Sequence, residues 1–375
     1  MNRRSGFLFL LEKCFRVLVS GIFLFLVQCK PSVPQKGLLT YTEENGNYKP
    51  VTNPAEWEIK RKQVLKGMEE AMGALPSREG LPPMDVEYTD SLEEAAYTRY
   101  DIRFVAAVNE ILPAYLYIPR DKGENQKFPA MLALHETDSI GKKSVDGQGK
   151  NKNLAYAKEL AVRGYVVIAP DYPGFGDLQP YDFSSDRYWS GTMKGIFDHI
   201  RCIDLLVSRP EVDSGRIGVI GHSLGGHNAL FVGAFDTRLK AIISSCGWTP
   251  FADYDIGPFA VEKYGGRLGP YAQERYMPLL RDKYHLEDAL FPFDFTDIIA
   301  SLAPRAFFSN SPERDDNFDV RGVRKGIGEA MKVYRMFVQE DRLQVRYPDT
   351  KHDFPEEVRR EAYRFLDSIL GHKGE

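Results

Sequence analysis

The pentapeptide Gly221-His222-Ser223-Leu224-Gly225 follows an apolar β-branched run at 216–220 and leads into a stretch of helical character at 226–232. In a strand, sharp turn and helix, a serine at the apex is lifted above the carboxyl edge of a sheet. Glycines flank it because larger side chains would collide with the strand and helix. The backbone N–H of Leu224 points into the same space. A glycine-rich strand-to-helix connection can also hold a serine that only caps the helix, so the rest of the chain must decide between these readings.

A serine hydroxyl is a poor nucleophile at neutral pH and needs an adjacent base, itself oriented by a third group. His352 is the expected base, on the loop 348–355 between the last strand and the last helix, free to approach a serine presented from another strand. Of the other histidines, His199 falls inside a helix and His227 one turn beyond the serine. His222 is on the strained turn and His372 in the tail, which leaves His285 as the competitor. The orienting acid should come from the segment after the preceding strand, where Asp315, Asp316 and Asp319 are all within reach. We take Asp315, with Asp316 as the alternative; its work would be to fix the imidazole tautomer without taking the proton. An oxyanion formed by attack on a carbonyl needs two N–H donors. Leu224 supplies one, and Thr137, on the loop after the first parallel strand, is the candidate for the second.

The elements that must hold these residues are legible from period and punctuation. Asn53-Pro54-Ala55-Glu56 reads as a helix start, with Trp57, Val64, Leu65, Met68, Met72 and Leu75 recurring at helical spacing. Runs at 99–108 and 111–118, separated by Asn109-Glu110, predict a hairpin. From 128 onward, strands and helices alternate: strands at 128–134, 165–169, 216–220, 239–244, 305–309 and 343–347, helices at 153–163, within 186–207, after the serine, and at 322–338 and 356–370. Such alternation predicts an α/β fold with a doubly wound, mostly parallel sheet. The segment 247–301 breaks the rhythm with aromatics such as Trp248, Phe251, Tyr271 and Phe293, and is expected to be a lid over the carboxyl edge, where ligands bind in such folds.

Length and composition limit the classes. The chain has 375 residues, 43% hydrophobic and 27% charged with a net charge of -4, which suits a globular protein and gives no basic patch for nucleic acid. Residues 1–29 read as a signal peptide: Arg3, Arg4, Lys13 and Arg16 precede an apolar run at 17–27 that is too short to span a bilayer by itself. Leu26-Val27-Gln28-Cys29 resembles the cleavage box of bacterial lipoproteins. Export with lipid anchoring at Cys29 is the expectation, and periplasmic or secreted release the alternative; any membrane association would run through that anchor. Residues 30–53 read as a linker and 54–375 as the main domain, with helix and hairpin at 54–120 and the lid at 247–301. Cys202 and Cys246 are expected as buried thiols. His135, Glu136 and Asp138 straddle a strand end and complete no ligand set, so neither a metal nor an organic cofactor is implied.

Several motifs together carry a family resemblance: Leu-His-Glu-Thr at 134–137, Asp171-Tyr172-Pro173-Gly174-Phe175-Gly176, Gly-His-Ser-Leu-Gly-Gly at 221–226, Ser-Ser-Cys-Gly-Trp at 244–248, Arg-Asp-Asp-Asn-Phe at 314–318 and Lys-His-Asp-Phe-Pro at 351–355. The set resembles bacterial serine hydrolases of the α/β-hydrolase superfamily related to dienelactone hydrolases, acetyl xylan esterases and prolyl oligopeptidase catalytic domains. The resemblance implies Asp315 as the acid and Thr137 as the second oxyanion donor. It implies a serine hydrolase that cleaves small-molecule carboxylic esters through an acyl-enzyme, with Ser223, His352 and Asp315 as the triad. A peptidase of the prolyl oligopeptidase type and a non-catalytic surface binding protein on a hydrolase scaffold are the competing expectations.

Overall fold

Alternation along the sequence becomes a layered sheet in the structure, a computed structural model that describes residues 37–120, 126–185 and 187–373. The expected leader, with Cys14 and the anchoring position Cys29, lies outside the described residues. In chain order the elements begin with β1 (Thr40–Thr42), β2 (Tyr48–Pro50), α1 (Pro54–Met72), β3 (Glu87–Glu93), β4 (Tyr97–Ala107), β5 (Glu110–Pro119) and β6 (Phe128–Leu134). They continue with α2 (Tyr156–Val162), β7 (Val166–Pro170), α3 (Gly191–Ser208), β8 (Val212–His222), α4 (Leu224–Phe235) and β9 (Leu239–Ser245). Three short helices, α5 (Pro258–Tyr264), α6 (Leu279–Asp282) and α7 (Phe295–Leu302), precede β10 (Ala306–Asn310), α8 (Val320–Met336), β11 (Leu343–Arg346) and α9 (Glu356–Leu370).

Nine strands form one sheet in the order β11-β10-β9-β8-β6-β7-β5-β4-β3. Every pairing among β6 to β11 is parallel, while β3, β4 and β5 form an antiparallel meander that joins at β7. The predicted hairpin is the β4–β5 pair, turned through Asn109 at φ 61°. Strand side chains alternate between two cores. Leu132, Ile217 and Val219 face the side covered by α3, α4, α7 and α8, and Met131, Ile220 and Ile243 face the side covered by α2 and α9. Fully buried strands need apolar residues on both faces, which is why β6 and the inner half of β8 from Ile217 to Ile220 read as apolar runs.

Two expectations change. The segment expected to be a linker is structured from Gly37: β1 and β2 pair, Gln63 of α1 exchanges hydrogen bonds with the Thr42 backbone, and Leu38, Leu39 and Tyr41 pack on the core. Apolar residues among the prolines and glycines give it something to bury. The segment expected to be a lid, 247–301, ends in α7, which packs among α4 and α8 as part of the sheet's own helical layer, with Phe295, Ile298, Ile299 and Leu302 fully buried. No helix among the described residues is long and apolar enough to cross a membrane.

Candidate active site

β8 ends at His222 and α4 starts at Leu224, so Ser223 alone makes the turn, at φ 53° and ψ -119°. Positive φ is costly for a residue with a Cβ and persists only where the surroundings enforce it. Here the Ser223 N–H donates to Ser245 O at 2.8 Å, and the Ser223 carbonyl accepts from His227 N at 2.9 Å. The flanking glycines are obligatory: a Cβ on Gly221 would lie 2.2 Å from the Gly225 carbonyl, and one on Gly225 would lie 1.9 Å from Leu134 O. That close approach seats the start of α4 against the end of β6.

The two later loops meet beside this turn. His352 Nδ1 lies 3.0 Å and 3.1 Å from the two carboxylate oxygens of Asp315. A carboxylate accepts, so Nδ1 carries the proton and Nε2 presents its lone pair. Asp315 is held in turn by the backbone N–H groups of Asn317 and Phe318, at 2.9 Å and 3.2 Å. The Asp315 side chain is buried and that of His352 is 21% exposed, so the imidazole is the member of the pair that solvent reaches. Its ring centroid lies 4.9 Å from that of His222, next to Ser223. Asp353 pins the loop from behind: its carboxylate accepts from Asn151 and Asn153, and its carbonyl from Asn310 Nδ2 at 2.8 Å.

The alternatives to these residues are placed elsewhere. Asp316 is exposed, and Asp319 caps α8 while pairing with Arg321. His285 is an exposed turn residue at φ 55°. His227 stacks on Phe231 with ring centroids 4.1 Å apart, and burial lowers its pKa to about 3. His199 is driven to about 3 by burial and by the nearby His135. Burial, and then His352, push His222 well down; its Nδ1 pairs with Ser245 Oγ at 2.9 Å. These three stay neutral, which favours packing over proton transfer.

Leu224 is the first helical residue, so its N–H has no carbonyl one turn back. Thr137 lies on the loop leaving β6, and among the described residues its N–H has no protein acceptor. The Tyr276 phenol, from the 247–294 segment, lies near the Thr137 side chain. Next to it, burial raises the Glu136 carboxyl, which accepts from Ser144 Oγ at 2.8 Å, and His135 stacks on Tyr172 at 3.7 Å. His135, Glu136 and Asp138 form no three-residue ligand cluster. The one such group among the described residues is Cys246, Asp315 and His352, which residue spacing gave no means of finding because Cys246 comes from a third strand.

A strand-turn-helix serine and an acid–imidazole pair supplied by successive later loops define a class. Residues 153–365 match the α/β hydrolase family, and the chain belongs to it. YtaP of Bacillus subtilis (strain 168), named as a hydrolase, is 27% identical over 83% of this chain and 99% of its own length. The carbohydrate esterase MZ0003, from an unknown prokaryotic organism, is 25% identical over 76% of this chain and 75% of its own. Among solved structures, the glucuronoyl esterase from Solibacter usitatus superposes with a TM-score of 0.68 over 90% of this chain and 98% of that one, at 19% identity, a likeness of fold.

Proposed function

We propose that this chain is a serine esterase acting through an acyl-enzyme, with esters carried on carbohydrates as the substrate class to test first. The observation that supports it most is the Asp315–His352 pair set beside the turn that presents Ser223. Ser223 Oγ attacks the ester carbonyl while His352 Nε2 takes its proton, and Asp315 stabilises the imidazolium that results. The Leu224 and Thr137 amides receive the oxyanion, and His352 returns the proton to the leaving alcohol. Water, deprotonated by the same nitrogen, then releases the acid. The 247–294 segment, a lid in this reading, shapes the alcohol side of the pocket; the nearness of Tyr276 to Thr137 supports that role. Esterase names among the relatives favour an ester over an amide.

The test is fluorophosphonate labelling together with an ester panel of graded acyl length that includes acetylated sugars. Ser223→Ala and His352→Ala should each lose labelling and lower turnover by about 10⁶-fold while circular dichroism is unchanged. Labelling that survives in Ser223→Ala refutes the nucleophile. A labelled protein that cleaves dipeptidyl amides faster than every ester points to a peptidase instead.

A further inference from the structure

Cys246 leaves β9 in the left-handed region, at φ 48°, with its N–H bonded to Asn310 O at 2.9 Å. That turn carries the thiol to the loops holding Asp315 and His352. The sulfur lies 3.3 Å from Asp353 O, to which the thiol donates. Sγ, a carboxylate oxygen of Asp315 and a ring nitrogen of His352 all lie within 4.8 Å of one another. We propose that these three side chains form a capture site for a soft divalent cation of the zinc or cadmium class, and that occupancy switches the enzyme off.

Two ligands on a tetrahedral zinc ion, at their usual bond lengths, stand about 3.3 Å apart for nitrogen and oxygen and about 3.6 Å for nitrogen and sulfur. The Nδ1 to carboxylate separation of 3.0 Å is already close to the first figure, so the imidazole and the acid need little movement. The sulfur, within 4.8 Å of both, has the remaining distance to close. Thiolate and carboxylate together cancel a double positive charge, and thiolate with imidazole favours soft cations over magnesium or calcium. The cation enters past His352, the member that solvent reaches.

Binding breaks the Cys246 S–H bond and releases one proton to solvent. The cation takes Nδ1 of a neutral imidazole, whose proton therefore moves to Nε2. An Nε2 that carries a proton has no lone pair for the Ser223 hydroxyl, so the general base is lost without any change of fold. This second step rests on the catalytic reading given above; cation capture itself does not.

The experiment titrates cadmium chloride into full-length protein stripped with EDTA. It follows the ultraviolet thiolate-to-cadmium band and, in parallel, hydrolysis of a chromogenic ester. The band should saturate at about one equivalent while activity falls about tenfold or more, both reversed by EDTA and neither produced by magnesium. The difference spectrum against Cys246→Ser isolates this thiol from the others, and that variant, measured against its own metal-free rate, should resist cadmium. Cys202→Ala should behave as wild type. Absence of a Cys246-dependent band overturns the proposal, as does a saturated band with full activity. A metal-free protein inactive on every ester fails the serine-esterase reading instead, and the band then decides the cation site alone.

Discussion

Ser223 is held at an unfavourable φ by its own hydrogen bonds to Ser245 and His227 and by the steric demand at Gly221 and Gly225. The glycines were legible in sequence because the turn tolerates no Cβ at 221 or 225, and the serine because it stands between them. The acid was less so, because Asp315, Asp316 and Asp319 are interchangeable as letters. They differ only in which backbone amides and which imidazole surround each carboxylate in the folded loop. Asp315→Asn should lower turnover by about 10⁴-fold by presenting the wrong tautomer, whereas Asp316→Asn should leave steady-state kinetics near wild type. Equal losses in the two variants would contradict the assignment. Ser245, Cys246 and Asn310 surround the site without any motif to announce them, since their roles depend on β9 and β10 lying side by side.

At the level of elements, the caps explain why boundaries read from sequence hold in some places and not others. Asn53 caps α1, accepting from Ala55 N and Glu56 N, and Glu56 reaches back to Thr52, as the local residues dictate. The start of α7 joins a local capping box, in which Asp297 accepts from Asp294 N at 2.9 Å, to tertiary burial. Asp294 caps it and also accepts from Phe251 N, joining the aromatic segment to the helical layer. Burial first, and then the charge of Asp297, push its carboxyl up to about 7. The folded state thus holds this proton more tightly than the unfolded chain. Its contribution is complete below the ordinary carboxylate range and is lost as pH rises towards 7. The wild-type melting temperature should therefore fall more between pH 5 and pH 8 than that of Asp294→Asn, which keeps the capping oxygen. Parallel melting curves for the two proteins would remove burial of Asp294 as the cause.

Across the whole molecule, the site exists because the strand order reverses around β6, with β7 on one side and β8 on the other. Loops from β6, β8, β9, β10 and β11 consequently leave one edge together. The loop that carries Thr137 is fastened to the next by charge: Lys142 Nζ donates to Asp171 at 2.5 Å and to Asp177 at 2.6 Å, and Lys142 N donates to Asp171 at 2.8 Å. Lys142 and Asp171 are both buried, so removing the cation strands a carboxylate that water cannot reach. Lys142→Met should cost about 3–5 kcal/mol in urea unfolding. Asp177→Asn, at a half-exposed partner, should cost about 1 kcal/mol or less. Similar values for the two would mean that the buried pair is not what holds the loop.

Much of the architecture was settled by local chemistry. A continuous apolar run placed β6 and a period-3.6 pattern placed α9 to the residue, glycines marked the turn at Ser223, and a loop histidine followed the last strand. These features follow from backbone sterics and the periodicity of burial, which act within a few residues of chain. The structured segment at 37–53, the inward packing of α7, the pairing of Asp315 with His352 and the approach of Cys246 to His352 were decided by tertiary structure. Each depends on surfaces brought together from distant parts of the chain, where burial and hydrogen bonding select among residues that look equivalent along the sequence.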